Sequence, residues 1–297
     1  MKTPQLGPWP SGMNNRLPAH AVDKDQYGKV TALRNVVNAV LTNNGHPKRR
    51  TGFSKVQAGI NLRAGFACPL GAYVVQGTTL FRWTGSALTP IYAGIVGDQI
   101  SYLYFNGALY LTDGSSVVKN GSRLSDIPAG NIIRQYNGRI YVANGKTLWF
   151  TEPYSETVNY EHGFLQFTDD IDIMEPVESG IWVATGKETV FLQGGDPHAF
   201  AQIPSLNYGG IYGTSVRADG DTATVYWSTP NGVVAAAGGE IKNLQYEHVA
   251  PDTGDSGAAL LRKRDGMSHY VATINNASLS PFAASDFMEM EVIRRAG

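Results

Sequence analysis

The chain has 297 residues, a formal net charge of −1 and only 16% charged residues. One cysteine excludes an internal disulfide framework and a cysteine-rich zinc site, and the near-zero charge gives no general attraction for nucleic acid or an anionic membrane. The 34 glycines and 10% aromatic residues are typical of short strands joined by tight turns, and not of a disordered chain or a coiled coil.

The chain begins with a proline-rich segment. Pro8, Pro10 and Pro18 exclude a regular helix or a central strand up to about residue 19, which predicts an extended arm. Trp9 lies between two of these prolines and far from any local apolar pattern. An extended segment loses little entropy on docking, and tryptophan is a frequent interface anchor, so the arm is predicted to bind a neighbouring subunit. The alternative is that it folds back on its own body.

A turn and a basic run follow the arm. The apolar residues at 30–41 predict no more than a turn or two of helix, and the Asn-Asn-Gly sequence at 43–45 predicts a turn, so this part should contain a hairpin. Lys48, Arg49 and Arg50 come directly after it. This basic cluster is interpreted either as solvated strand ends or as one half of an inter-subunit salt bridge.

Residues 7–56 resemble the N-terminus of bacteriophage tail proteins of the hub, nozzle or head-to-tail stabilising (connector) kind. The resemblance lies in the Gly-Pro-Trp-Pro arm, the Leu-Arg-Asn at 33–35, the Asn-Gly turn and the Lys-Arg-Arg-x-Gly-Phe run. It implies a virion structural protein, made in the host cytoplasm, that forms part of a homo-oligomeric ring around the DNA channel. Its partners would be other tail or connector proteins, with DNA passing without sequence-specific binding. The residues expected to make assembly contacts are Trp9, Arg34, Lys48, Arg49 and Arg50.

The body of the chain, residues 51–280, contains a repeated hairpin. Four copies begin near Gly71, Gly107, Gly138 and Gly180, and two looser copies contain Thr224 and Ala259. A hairpin unit recurring at about 40 residues predicts an all-β, β-propeller-like body of five or six irregular blades, with a β-sandwich as the alternative. Residues 53–62 are expected to close the ring by pairing near residues 270–274.

Residues 281–297 form a third region, after the arm and hairpin of residues 1–50 and the body. Met288, Met290 and Val292 alternate with glutamates, which predicts a closing strand or a tail that docks on a neighbour. A turn or two of helix is the expectation for 281–288. No apolar run approaches the ~18 residues of a membrane span, so no span is expected.

The densest acidic stretch contains Asp169, Asp170 and Asp172. Closely spaced carboxylates suit calcium, but the full calcium-binding loop pattern with its terminal glutamate is missing. Three interpretations stay open: a solvated loop, a cation site and, under the phage resemblance, a loop that lines the channel and keeps DNA from binding.

Motifs for catalysis are weak. Ser256 lies in Gly-Asp-Ser-Gly, which resembles the nucleophile sequence of trypsin-like proteases, but no histidine motif accompanies it and the residues after Gly257 depart from that family. A surface loop is the prediction here. The histidines show no metal-ligand spacing, and no nucleotide-binding motif is present. We therefore expect no catalytic, cofactor or metal site and no enzyme activity.

Two alternatives to the virion function come from other classes. Trp83, Trp149, Trp182 and Trp227 would stack on sugar in a lectin-like propeller of a receptor-binding assembly, although their strand positions favour core packing. A propeller glycosidase would need two carboxylates about 5–10 Å apart, which a sequence cannot show.

Overall fold

A computed structural model describes most of the body and parts of the N-terminal region. The residues described are 9–11, 13–17, 25–33, 39–41, 46–49, 54, 59–218, 223–247, 249, 251, 253–264 and 267–276. Within them the regular structure is β-strand, apart from one 3-10 turn at Pro197–Ala199. The predicted helix and tail at 281–297 lie outside these residues.

Among the described residues, five sheets have four antiparallel strands each, and in every one the strands follow in chain order. We call these sheets blades 1 to 5. Blade 1 consists of β3 (Leu62–Cys68), β4 (Gly71–Gln76), β5 (Thr79–Trp83) and β6 (Leu88–Ala93). Blade 2 consists of β7 (Ser101–Phe105), β8 (Ala108–Thr112), β9 (Val117–Lys119) and β10 (Ser122–Leu124). Blade 3 consists of β11 (Ile132–Tyr136), β12 (Arg139–Asn144), β13 (Thr147–Phe150) and β14 (Phe164–Gln166).

The remaining sheets complete the architecture. Blade 4 consists of β15 (Ile171–Val177), β16 (Gly180–Thr185), β17 (Thr189–Gln193) and β18 (Ala201–Leu206). Blade 5 consists of β19 (Val216–Ala218), β20 (Thr224–Thr229), β21 (Gly232–Ala237) and β22 (Glu240–Asn243). Two-stranded sheets pair β1 (Ala39–Leu41) with β2 (Pro47–Arg49), and β23 (Ser256–Arg264) with β24 (Met267–Asn275).

The first strands of neighbouring sheets lie side by side. β3 lies beside β7, β7 beside β11, β11 beside β15, and β19 beside β23. The first strand of each blade is therefore the inner one and the fourth strand the outer one. Radial repetition of small antiparallel sheets defines a β-propeller-like fold. The predicted fold class is confirmed, with five four-stranded blades and the β23–β24 hairpin next to blade 5.

The sequence repeat corresponds to the second and third strands of each blade. Type I′ turns, which need positive φ at both central residues, explain why Asn-Gly recurs between the first two strands of blades 2 and 3. Asn106 and Gly107 have φ of 48° and 74°, and Asn137 and Gly138 have φ of 44° and 75°. The repeat is thus fixed by local turn chemistry.

Other glycines lie where a linker between blades contacts a strand. A Cβ atom on Gly97 would lie 1.8 Å from the carbonyl oxygen of Asp113, and one on Gly130 would lie 2.2 Å from that of Ala143. Any side chain at these two positions would push the linker away from the blade that follows it.

The core lies between the faces of adjacent blades. Trp182 of blade 4 and Trp227 of blade 5 are fully buried, with ring centroids 6.4 Å apart. Each side chain of this size contributes roughly 2–3 kcal/mol by leaving water. These two tryptophans pack in the core, as their strand positions predict, whereas Trp83 and Trp149 are half-buried.

Two predictions of local structure fail at the residues that the structure describes. The turn or two of helix expected around 30–41 is absent at Leu33, which bridges Met13, and at Ala39–Leu41, which is strand β1, while 34–38 lie outside the described residues. A short apolar run is compatible with either structure, and pairing with β2 decides it. The closing strand predicted at 53–62 is contradicted as well, since Ser54 and 59–61 are not in a strand and Leu62 pairs with Gln76 inside blade 1.

Candidate functional site

The N-terminal arm is held by the segment that follows it. The Ser11 amide donates to the Thr31 carbonyl at 3.1 Å and the Asn14 amide to the Leu33 carbonyl at 2.7 Å. Met13 and Leu33 form a parallel bridge. Although its prolines exclude regular structure before residue 19, the arm here pairs with residues 31–33.

A tight loop at 25–29 projects a tyrosine. The Asp25 carboxylate accepts hydrogen bonds from the Tyr27 amide at 2.8 Å and the Lys29 amide at 2.9 Å, which is the usual role of aspartate in turns. Gly28 supplies the positive φ of 76°. Tyr27 is left 84% exposed, so a large, partly apolar side chain is presented on a hydrogen-bonded loop.

The arm contacts blade 5 through one cation–π pair. The Arg16 guanidinium lies 5.4 Å from the ring centroid of Tyr246, in the segment after β22. Such a contact contributes about 0.5–1 kcal/mol at an exposed site. The arm therefore touches its own body at this position, which is compatible with both predicted roles of the arm, and Trp9 is half-buried.

The basic hairpin leaves its cations in solvent. Lys48 and Arg49 are both exposed on β2. Arg34 and Arg50 lie outside the described residues, so the five predicted assembly residues are not seen as one surface. Their role in assembly stays a prediction.

The three predicted acidic residues lie together at the start of the inner strand β15. Asp169 pairs with Lys187 at 3.0 Å, while Asp170 is exposed. Asp172 lies at a register shift between Ile171 and Ile173. Burial, together with the charges of Asp170 and Asp169, raises the pKa of Asp172 to about 6. In the described residues no group of three His, Cys, Asp or Glu side chains is arranged to hold a metal ion, so the cation interpretation gains no support.

A buried polar network connects the inner strands, and the sequence analysis did not predict its residues. Arg134 on β11 donates from Nε and Nη2 to Glu175 Oε1 on β15, at 3.0 and 2.6 Å. Arg134 Nη1 also donates to the Ser101 hydroxyl oxygen at 2.9 Å, and the Ser215 hydroxyl donates to Glu175 Oε1 at 2.7 Å. The signal available was Arg134 directly after two isoleucines in β11, and Glu175 within the mainly apolar run at 173–177 of β15. Burial acts to lower the pKa of Arg134, but the charge of Glu175 and its hydrogen bonds raise that pKa above its usual value.

Ser256 lies in a paired strand. It begins strand β23, which corrects the prediction of a surface loop, and it bridges Tyr212 beside blade 5. Its hydroxyl oxygen accepts a hydrogen bond from Asn275 Nδ2 at 3.1 Å. Across the described residues no helix is long and apolar enough to cross a membrane.

Comparison with known proteins bears on the fold alone. No protein-family model matches the chain, and no curated protein matches it in sequence. A structure of BBS1N in complex with ARL6DN, soaked with lead, is similar with a TM-score of 0.50 and 10% identity, over 81% of this chain and 84% of that one. Hsv2 of Kluyveromyces lactis is similar with a TM-score of 0.39 and 12% identity over 78% of each chain. The four-stranded antiparallel sheets, together with the similarity at a TM-score of 0.50, give the described part of the chain a β-propeller-like fold.

Proposed function

We propose that this protein is a non-enzymatic structural component of a phage virion, within the tail or the head-to-tail junction. It forms part of a homo-oligomeric ring around the DNA channel and binds neighbouring tail or connector proteins through its arm and hairpin. The observation that carries the proposal is the exposure of Lys48 and Arg49 on the β1–β2 hairpin. It is joined by the 84% exposure of Tyr27 and by the resemblance of residues 7–56 to phage tail proteins.

A mechanical role suits the body. Adjacent blades share buried side chains, such as Trp182 with Trp227, and the Arg134–Glu175 pair joins inner strands of two blades. Cores packed in this way transmit strain with little deformation. A rigid body with exposed cations on a separate hairpin can hold neighbours in register while resisting internal pressure.

In this proposal the acidic group at the start of β15 faces the path of the DNA. Asp169, Asp170 and Asp172 belong to an inner strand and to the turn just before it. Carboxylates repel phosphates, so such a lining would let DNA pass without binding it.

The test is the mass of the full chain in solution, measured by light scattering over a range of concentrations. The expected result is a concentration-dependent oligomer that the variant Lys48→Glu/Arg49→Glu converts to monomer. A matched control is Arg82→Glu/Lys263→Glu, which reverses two exposed cations on β5 and β23 and should leave the mass unchanged.

Two results would contradict the proposal. A full chain that stays monomeric up to millimolar concentration contradicts self-assembly through the hairpin. If both charge-reversed variants reduce the oligomer mass equally, the association depends on the net charge of the chain. That result would contradict a specific role of Lys48 and Arg49.

A further inference from the structure

Blade 3 carries a long surface loop, residues 151–163, that is fixed in place. The Tyr154 amide donates to the Gly138 carbonyl at 2.7 Å, and the Val158 amide donates to the Asp126 carbonyl at 3.2 Å. Glu156 accepts hydrogen bonds from the Tyr110 hydroxyl and the Lys119 ammonium group of blade 2. The loop is therefore held from two blades, and its side chains are preorganised.

This loop displays an aromatic cluster at the surface. Tyr160 is 55% exposed and lies with its ring centroid 5.5 Å from that of Trp149 on β13. Phe164 on β14 belongs to the same cluster: it is 38% exposed, and its ring centroid lies 5.3 Å from that of Trp149. Trp149 is one of the four tryptophans predicted as possible sugar-stacking residues. In the structure its ring packs against the exposed Tyr160.

A cavity of about 510 Å³ opens beside Tyr160, between the outer end of blade 2 and the linker to blade 3. Arg123, Ser115 and Ser125 line it, and apolar side chains such as Ile127 form part of its wall. This volume is within the range of small-molecule sites, which combine apolar walls with a few polar groups.

The polar wall offers both donors and acceptors. Arg123 Nη2 donates to the Ser115 carbonyl at 3.4 Å, and the Arg123 side chain is exposed. The Ser125 hydroxyl donates to Asp126 at 2.9 Å, which leaves its oxygen able to accept. An exposed guanidinium is suited to bidentate binding of a carboxylate.

We propose that this cavity binds an acidic saccharide. The apolar face of a pyranose ring stacks on Tyr160, its carboxylate pairs with Arg123, and its hydroxyl groups bind Ser115 and Ser125. A sugar acid combines one apolar face, a polar rim and one negative charge, which is the combination that the aromatic cluster, the serines and the arginine present together. This activity is separate from assembly through the arm.

The experiment titrates the full chain with D-glucuronate, D-glucose and inorganic phosphate, following Trp149 and its neighbours by fluorescence and by NMR. Glucuronate should bind with a Kd of about 1 mM, and glucose more weakly. Tyr160→Ala should weaken glucuronate binding about tenfold, as should Arg123→Gln, because each removes an interaction of this size.

Control variants separate the site from general effects. Tyr27→Ala removes an exposed tyrosine and Arg82→Gln an exposed cation elsewhere on the chain, and both should leave binding unchanged. Tyr160→Phe keeps the stacking ring and should retain binding. Unchanged NMR shifts for residues 151–158 in Tyr160→Ala would show that its loss of binding does not come from a misfolded loop.

Three outcomes overturn the proposal. The first is no glucuronate binding at tens of millimolar. The second is phosphate binding as tight as glucuronate binding and insensitive to Tyr160→Ala, which would make the cavity an anion site only. The third is a glucuronate Kd that Arg123→Gln leaves unchanged.

Discussion

Arg134 Nη2 lies 2.6 Å from Glu175 Oε1, and this pair joins the inner strands of blades 3 and 4. The Glu175 side chain is 4% exposed, so its charge has little access to water. Ser101 in blade 2 and Ser215 next to blade 5 complete the hydrogen bonding. One polar network therefore connects four blades close to the centre of the fold.

Removing one member of this pair should be costly. Arg134→Met leaves the Glu175 carboxylate buried without its cation, and we expect the free energy of unfolding to fall by about 3–5 kcal/mol. The double variant Arg134→Met/Glu175→Met removes both charges and should recover most of that loss. Urea unfolding of the three proteins measures both effects. A double variant no more stable than Arg134→Met would contradict the account of a desolvated pair.

Asp172 should make stability depend on pH. Its pKa is raised from 3.8 to about 6 in the folded protein. The folded state therefore binds a proton more tightly than the unfolded state, and stability falls as pH rises from about 4 to about 6. Asp172→Asn should raise the free energy of unfolding at pH 8 by about 1 kcal/mol, after discounting for solvent screening, and leave it unchanged near pH 3.5.

Thermal unfolding at the two pH values checks this. Glu240→Gln is the control, because Glu240 is exposed on β22 and takes no part in raising the pKa of Asp172, and its effect should stay within about 0.5 kcal/mol. An equal gain for Asp172→Asn at both pH values would show that the effect does not come from ionisation.

Trp182 and Trp227 should respond differently to phenylalanine. Both are fully buried, but Trp182 Nε1 donates to the Gly238 carbonyl at 3.0 Å, whereas Trp227 Nε1 has no hydrogen-bond partner among the described residues. Trp182→Phe loses ring volume and a hydrogen bond, and should cost about 3 kcal/mol. Trp227→Phe loses ring volume but removes a buried donor that has no partner. Its cost in unfolding free energy should therefore be about 1 kcal/mol smaller than that of Trp182→Phe. Equal losses in chemical denaturation would refute the difference.

Tyr270 should fasten the β23–β24 hairpin to blade 5. Its hydroxyl donates to the Thr214 carbonyl at 2.7 Å and lies 3.0 Å from the Ser228 hydroxyl. Tyr270→Phe should speed hydrogen exchange in β23 and β24, by an amount equivalent to about 1 kcal/mol, and leave blade 3 unchanged. Tyr226→Phe is the control, because it removes the hydroxyl group of a tyrosine whose ring neighbours that of Tyr270. Uniform acceleration over all blades would indicate global rather than local loosening.

Several features followed from residues close together in the chain. The all-β class and the repeated hairpin come from glycine and asparagine at positions that need positive φ, such as Asn137 and Gly138. The core position of Trp182 and Trp227 follows from their place within apolar strands. Ala39–Leu41 forms a strand where a turn of helix was expected, because a short apolar run does not distinguish strand from helix until a partner strand is known.

The sequence by itself determined the blade unit, because turn chemistry and strand alternation act between neighbours in the chain. Tertiary structure alone decided which strands are inner, that Arg134 meets Glu175 across 41 residues, and that Tyr160 and Arg123 border one cavity. Those relationships depend on how the blades pack against one another. Packing of that kind sums many weak contacts between distant residues, and no local pattern encodes it.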